Sequence, residues 1–175
     1  MNIDELIERS HAQAVKSGWW PEGEQRSVAD QVNNFHAEIS EAWEEYRAGR
    51  METWYASIPT PLNVAKPEGF WVEIADLCIR LADTMGAMGW KQRTAECLPT
   101  EFADIARFVS ECHSLVETLL QATGRWHDQA GGWAMTLLRT CIETAGRHGV
   151  DLLALCELKM QYNATRPQRH GGKLA

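Results

Sequence analysis

Two short acidic motifs are the part of this sequence whose residue types and spacing could support chemistry. Glu38 and Glu41 lie three residues apart in FHAEISEAWEEYR, and Glu73 and Asp76 repeat that spacing in FWVEIADLCIRLAD. Residues i and i+3 of an α-helix share one face and lie about one turn apart. Two such helices packed face to face would bring four carboxylates together.

A cluster of four carboxylates needs a cation. Two unit charges about 4 Å apart repel by roughly 1 kcal/mol in water and by about 4 kcal/mol at an effective dielectric near 20. Carboxylates without neighbouring Cys or His suit Mg²⁺, or alternatively Mn²⁺, better than Zn²⁺. Because Mg²⁺ also binds substrate phosphates, the motifs predict metal-assisted attack on phosphorus. The predicted metal ligands are Glu38, Glu41, Glu73 and Asp76.

The alternative interpretation of these motifs is a solvated helix face, since exposed helices of acidic proteins carry Glu pairs at this spacing by chance. Apolar residues interleave with both motifs, Ile39 and Trp43 with the first, and Ile74 and Leu77 with the second. Carboxylates at the border of an apolar stripe need not face solvent. This setting favours a site over a solvated surface.

Apolar periodicity and capping residues predict an all-α protein of about six helices. The predicted helices span about 3–16, 27–47, 68–88, 101–121, 133–148 and 152–166. Their predicted N-caps include Ser27, Thr100 and Asp151. Residues 51–67 hold three prolines and predict a loop, and the glycine-containing stretch 124–132 predicts a flexible connection. No segment predicts a strand.

Composition is that of one globular domain. The chain has 175 residues, of which 45% are hydrophobic and 23% charged, which is sufficient for one core. Its formal charge of −7 disfavours binding to nucleic acid or to an anionic membrane. Neither a membrane span nor a signal peptide is evident, so we expect a cytoplasmic protein. Five cysteines without a CxxC motif predict buried, reduced thiols.

A second group of residues, near the end of the chain, could bind phosphate. Lys159, Asn163 and Arg166 are spaced i, i+4 and i+7, which places an ammonium, an amide and a guanidinium on one helix face. Lys173 follows in a glycine-containing tail that could close over a ligand. The alternative is that these cations complement a helix C-terminus, which explains Arg166 well and Lys159 poorly.

Together the two groups resemble the MazG-like all-α nucleotide pyrophosphohydrolases, in particular members found in phage. The family signature is ExxE on one helix and ExxD on the next, and the ending K-x-x-Y-N-x-x-R with a trailing HGGK is similar to that of phage members. The resemblance covers roughly 10–90 and 150–173. The chain departs from the family in its longer gap between the acidic motifs, and a helical pair at about 100–148 is expected to be inserted into the MazG-like domain.

This resemblance implies a Mg²⁺-dependent enzyme that converts a nucleoside triphosphate to the monophosphate and pyrophosphate, as a homodimer or homotetramer. Glu41 or Glu45 would accept the proton of the attacking water. Trp20, in the Trp19-Trp20 pair that follows the first helix, would contact the base, although such a pair could equally fill the core. The phosphate-binding residues would be Lys159, Asn163, Arg166 and Lys173.

Two other functions compete with this one. A non-catalytic helical interaction protein would carry the acidic rows as solvent faces. A di-iron carboxylate protein would need two ExxH motifs, and only Glu8 to His11 fits.

A third acidic motif, Glu101 and Asp104, is expected to serve a helix N-terminus. Finally, Arg80 is expected to pair with Asp83.

Overall fold

The chain folds as an all-α bundle in the computed structural model, which describes residues 1–22, 26–56, 64–90, 95, 98–125 and 127–169. The described helices are α1 Ile3–Lys16, α2 Val28–Arg47, α3 Phe70–Ala87, α4 Ile105–Arg125, α5 His127–Arg147 and α6 Leu152–Asn163. None of these six is long and apolar enough to cross a bilayer. The predicted fold class is confirmed.

Side-chain caps fix where most of the helices begin. Ser27 Oγ accepts a hydrogen bond from the amide of Asp30 at the start of α2, and Asp151 Oδ1 accepts one from Ala154 at the start of α6. Asn2 caps α1 in the same way. Each cap satisfies an amide that has no partner within its helix, typically worth about 1 kcal/mol.

The start of α4 differs from the prediction. Asp104 Oδ1 accepts a hydrogen bond from the amide of Arg107, so Asp104 caps α4 and the predicted cap at Thr100 is wrong. The Thr100 carbonyl instead accepts a hydrogen bond from Thr144 Oγ1 of α5 at 3.4 Å. The segment before α4 is therefore held by a long-range contact, which no local pattern reports.

Two segments predicted to be irregular carry regular structure. Strand β1, Trp54–Tyr55, pairs antiparallel with β2, Pro67–Glu68. Strands of two residues are too short to show an alternating pattern. The predicted connection at 124–132 is mostly helical, because α4 extends to Arg125 and α5 begins at His127. Residues 130–132 are buried, so close packing outweighs the low helix propensity of glycine there.

Helix α3 is the central element of the bundle. It packs against α1, α2, α5 and α6, while α4 packs against α2 and α5. Most of α3 from Phe70 to Met85 is buried, including the polar residues Glu73 and Asp83. A helix surrounded by others must bury its whole circumference. Polar side chains on α3 are therefore forced into the protein interior, where each needs a partner.

The close approach of α1 to α3 at Gly86 gives a first prediction. A Cβ built on Gly86 would lie 2.6 Å from His11 Cβ. We expect Gly86→Ala to separate the helices and to lower the free energy of unfolding by about 1–3 kcal/mol in urea titrations. Gly146→Ala on α5 is the matched control, since no described atom beyond its chain neighbours and its own helix backbone lies within 4 Å of its added Cβ. Similar losses in both variants would contradict the prediction.

Candidate metal centre

Helices α2 and α3 bring three of the predicted ligands together. One carboxylate oxygen from each of Glu38, Glu73 and Asp76 lies within 4.8 Å of the other two. Glu38 and Glu73 are only 4% and 2% exposed. Among the described residues this is the one group of three or more His, Cys, Asp or Glu side chains with such spacing. The acidic triad, as these three residues are called below, could hold a metal ion.

Two cations, half-buried Arg80 and fully buried Lys159, partly neutralise the acidic triad. Arg80 Nε donates a hydrogen bond to Glu38 Oε1 at 2.5 Å. Lys159 Nζ lies 2.9 Å from Asp76 Oδ2 and 3.6 Å from Glu73 Oε1. The expected Arg80 pair with Asp83 is therefore wrong. The Arg80 guanidinium instead pairs with Glu38 of α2, whose buried carboxylate requires a positively charged partner.

Burial makes two carboxyls of the acidic triad unusually basic. Desolvation raises the pKa of Glu38 to about 7, opposed by the Arg80 charge and reinforced by Asp76. Desolvation likewise raises the pKa of Glu73 to about 8, opposed by Lys159 and reinforced by Asp76. Burial thus favours the protonated form of these carboxyls unless a further cation arrives. Metal binding at the acidic triad must therefore displace protons.

This coupling predicts opposite pH trends with and without metal. The pKa of Glu38 and of Glu73 is near 4.5 in a free side chain and higher in the folded chain, so the folded state binds more protons across this window. Without metal, stability should fall as the pH rises from about 4.5 to 8, by up to about 1.4 kcal/mol per pH unit for each titrating group.

Added Mg²⁺ should stabilise the protein more as the pH rises, because fewer protons then compete for the carboxylates. The measurement is thermal melting with Mg²⁺ and with EDTA, at pH values of about 6 and 8.5. An increase in melting temperature with Mg²⁺ that was smaller at the higher pH would contradict the assignment of metal to these carboxylates.

Two buried amides beside the acidic triad have an atom without a hydrogen-bond partner among the described residues. Asn163 Nδ2 lies 3.5 Å from Asp76 Oδ1, while Asn163 Oδ1 is buried and unpaired. Asn34 Nδ2 is also buried and unpaired, one helical turn before Glu38. An unsatisfied buried polar atom costs about 1–3 kcal/mol. The oxygen-rich donors and the unpaired Asn163 Oδ1 fit a hydrated, hard divalent cation.

An open cavity adjoins the acidic triad. Asp76 and Arg80 belong to its lining, as do Trp19 and Asp83. Three guanidinium groups share the lining, those of Arg26, Arg80 and Arg166. The cavity lining combines an aromatic ring with cations, which suits a ligand that has both a flat apolar part and an anionic part.

The two carboxylates predicted to act as base lie in a separate acidic cleft, which Glu73 also lines. Glu41 is exposed there and does not belong to the acidic triad. Glu45 accepts hydrogen bonds from Arg50 Nε and Trp54 Nε1 on one oxygen and from Arg50 Nη2 on the other. The Arg50 hydrogen bonds lower the pKa of Glu45. Of the two, Glu41 is the better placed to accept a proton.

The tryptophan pair after α1 is tied to α3. Trp20 Nε1 donates a hydrogen bond to Asp83 Oδ1 at 2.8 Å, and His11 Nδ1 lies 2.9 Å from the same oxygen. The Arg26 guanidinium lies 5.3 Å from the ring centroids of both tryptophans. Both tryptophans are half-buried; Trp19 lines the cavity, whereas Trp20 anchors the loop to α3 through its hydrogen bond.

The predicted phosphate-binding residues divide into three cases. Lys159 is fully buried and donates to the carbonyl of Pro67 in addition to its carboxylate partners, so it does not face the open cavity. Asn163 and Arg166 line the cavity. Lys173 lies outside the described residues. Arg80 was not predicted as a partner of the acidic triad, although its i+4 spacing from Asp76 places both residues on one face of α3.

The third acidic motif has structural roles at the start of α4. Glu101 pairs with Arg147 at 2.5 Å on the surface, and Asp104 caps the helix. Neither belongs to the acidic triad. This arrangement accords with the expectation that the motif serves a helix N-terminus.

Comparisons of the chain with protein-family models, with curated proteins and with solved structures found no match. The resemblance to the MazG-like family therefore stays a prediction from sequence motifs.

Proposed function

We propose that the chain is a Mg²⁺-dependent nucleoside triphosphate pyrophosphohydrolase, which releases a nucleoside monophosphate and pyrophosphate. The observation that carries the proposal is a buried acidic triad that opens, through Asp76, onto a cavity lined by three guanidinium groups and an indole. Buried carboxylates bind hard divalent cations, guanidinium groups bind phosphate, and an indole stacks on a base. The acidic motifs shared with MazG-like proteins point to the same chemistry.

Glu38, Glu73 and Asp76 would hold the metal, and Mn²⁺ is the alternative ion. When bound, Mg²⁺ neutralises phosphate charge and makes a water molecule more acidic. Lys159 and Arg80 act on the carboxylates, because each is hydrogen-bonded to a member of the acidic triad. Lys159 thus positions Asp76 and Glu73, and would contact phosphate only if it gave up these partners.

The cavity assigns the remaining roles. Arg26 and Arg166 would bind phosphate oxygens, and Asn163, whose amide nitrogen lies near Asp76, would orient the group next to the metal. Glu41 would accept the proton of the attacking water from the acidic cleft on the side of Glu73. Trp19 would stack on the base, while Trp20 would hold the loop through its hydrogen bond to Asp83.

The alternative function, a non-catalytic helical interaction protein with solvated acidic rows, describes the outer part of α2 only. Glu41 and Glu44 are exposed as that alternative requires. Glu38 and Glu73 are buried, although burial of a carboxylate carries a large desolvation cost, so these two residues do not belong to a solvated face. The burial of this pair favours a site.

The test is a panel of ribonucleoside and deoxyribonucleoside triphosphates incubated with Mg²⁺ and assayed for pyrophosphate and monophosphate. Triphosphate analogues with a methylene bridge between the α and β phosphorus atoms are the chemical control, and Glu73→Ala is the protein control. Release of inorganic phosphate instead of pyrophosphate, or equal turnover by Glu73→Ala, would contradict the proposal. Light scattering of the same sample tests the proposed homodimer or homotetramer.

A further inference from the structure

A pair of histidines joins α2 to α4 on the side of α2 away from the acidic triad. His36 Nδ1 and His113 Nδ1 lie 2.8 Å apart, and the two rings are inclined by only 18°. Both side chains are half-buried. In the neutral pair one Nδ1 donates its proton to the lone pair of the other, so the two lone-pair positions converge on the same point.

The pair and the acidic triad lie on different faces of one helix. His36 is two residues before Glu38, and at 3.6 residues per turn two residues are separated by about 200° around the axis. Helix α2 packs against α3 with one face and against α4 with another. The histidine pair therefore faces α4 while the acidic triad faces α3, and the two sites are separate.

The chemistry of the pair differs from that of the acidic triad. Imidazole nitrogen is a borderline ligand that suits Zn²⁺, Ni²⁺ and Cu²⁺, whereas carboxylate oxygen suits Mg²⁺. Zinc binds imidazole nitrogen at about 2.0–2.1 Å, and tetrahedral ligands would then lie about 3.3 Å apart. The two Nδ1 atoms would need to part by about half an ångström, within reach of a small ring rotation.

We propose that His36 and His113 form a second metal site, selective for Zn²⁺ and similar borderline divalent ions. The imidazole that donates through Nδ1 would move its proton to Nε2, so that both Nδ1 lone pairs face the metal ion, which would then bridge α2 and α4 in place of the hydrogen bond. Water completes the coordination, because no third His, Cys or carboxylate among the described residues joins the pair within the spacing found for the acidic triad. This inference does not depend on the proposed nucleotide chemistry.

The test is thermal melting of the full chain after EDTA treatment and dialysis, with Zn²⁺ added alone. At about 100 times the dissociation constant, Zn²⁺ should raise the midpoint by about 5–10 °C. His36→Gln and His113→Gln should each remove most of this shift. His148→Gln is the matched control, since His148 is an exposed histidine at the end of α5. Glu38→Gln reports any contribution from the acidic triad and should leave the zinc shift intact.

Three results would overturn the proposal: no zinc shift in the parent, a shift retained by both histidine variants, or a shift lost in Glu38→Gln but kept in His36→Gln. If the histidine variants fail to fold, Cu²⁺ bound to the parent at one equivalent provides an independent measurement. Its electron paramagnetic resonance spectrum should show splitting from two imidazole nitrogens. A spectrum with oxygen ligands alone would equally contradict the site.

Discussion

Glu73→Gln should lower kcat/KM for triphosphate hydrolysis by about 10²–10³-fold, the range seen when one group that stabilises transition-state charge is removed. The glutamine keeps the shape of the side chain but cannot carry a negative charge to a metal ion. Because the pKa of Glu73 is about 8, the neutral amide resembles the protonated side chain of the metal-free protein. Stability without metal should therefore be retained or slightly raised, while the Mg²⁺ shift in melting should be lost.

The chain provides a matched control for this substitution. Glu101 opens a second motif of the same spacing, ExxD, but pairs with Arg147 on the surface. Glu101→Gln should leave kcat/KM within about twofold of the parent and change stability by less than about 1 kcal/mol. If both variants lost activity equally, the acidic triad would not be the seat of the chemistry, whatever the panel of nucleotides showed.

The second large effect is expected at Lys159. Its ammonium is fully buried and pairs with Asp76 and Glu73. Lys159→Met preserves length and removes the charge, which leaves carboxylates buried without their cation. Breaking a buried pair in this way typically costs about 3–5 kcal/mol. Urea unfolding should show this loss, and Mg²⁺ should recover part of it, since the metal replaces the missing positive charge.

Arg9→Met is the corresponding change at the surface. Arg9 pairs with Glu157 at 2.5 Å, but its side chain is 46% exposed, and exposed pairs contribute about 0–1 kcal/mol. A loss in Lys159→Met no larger than that in Arg9→Met would show that the buried ammonium is not needed to hold the carboxylates. A large loss of stability in Lys159→Met that Mg²⁺ did not reduce would show that the ammonium and the metal ion do not act on the same carboxylates.

Much of the fold follows from local signals, and its exceptions have identifiable causes. Ser27 and Asp151 are predicted caps because their side chains act within their own helix turn. Thr100 and Asp104 are both good cap residues; Asp104 caps α4, whereas the Thr100 carbonyl accepts a hydrogen bond from Thr144, more than forty residues away in sequence. Strand β1 forms only by pairing with β2, and two-residue strands are too short to show a periodic pattern in the sequence.

The candidate site was predictable where it depends on spacing within a helix and not where it depends on packing between helices. The i, i+3 pairs placed Glu38, Glu73 and Asp76 correctly on facing helices. Glu41 shares the spacing but lies at the exposed edge, because α3 covers only one side of α2. Lys159 looked like a free cation in sequence, since only the folded bundle places it beside α3.

One consequence concerns how this protein tolerates mutation. Helix α3 supplies two members of the acidic triad, part of the cavity wall and a large share of the hydrophobic core. Almost every substitution there should therefore impair folding and ligand binding together. A saturation library should find α3 nearly invariant, while exposed positions such as Glu117 and Arg139 accept most residues. Under the proposed function, new substrate preferences would then evolve through substitutions in the loop that carries Trp19 and at the end of α6, because both segments border the cavity without forming the core.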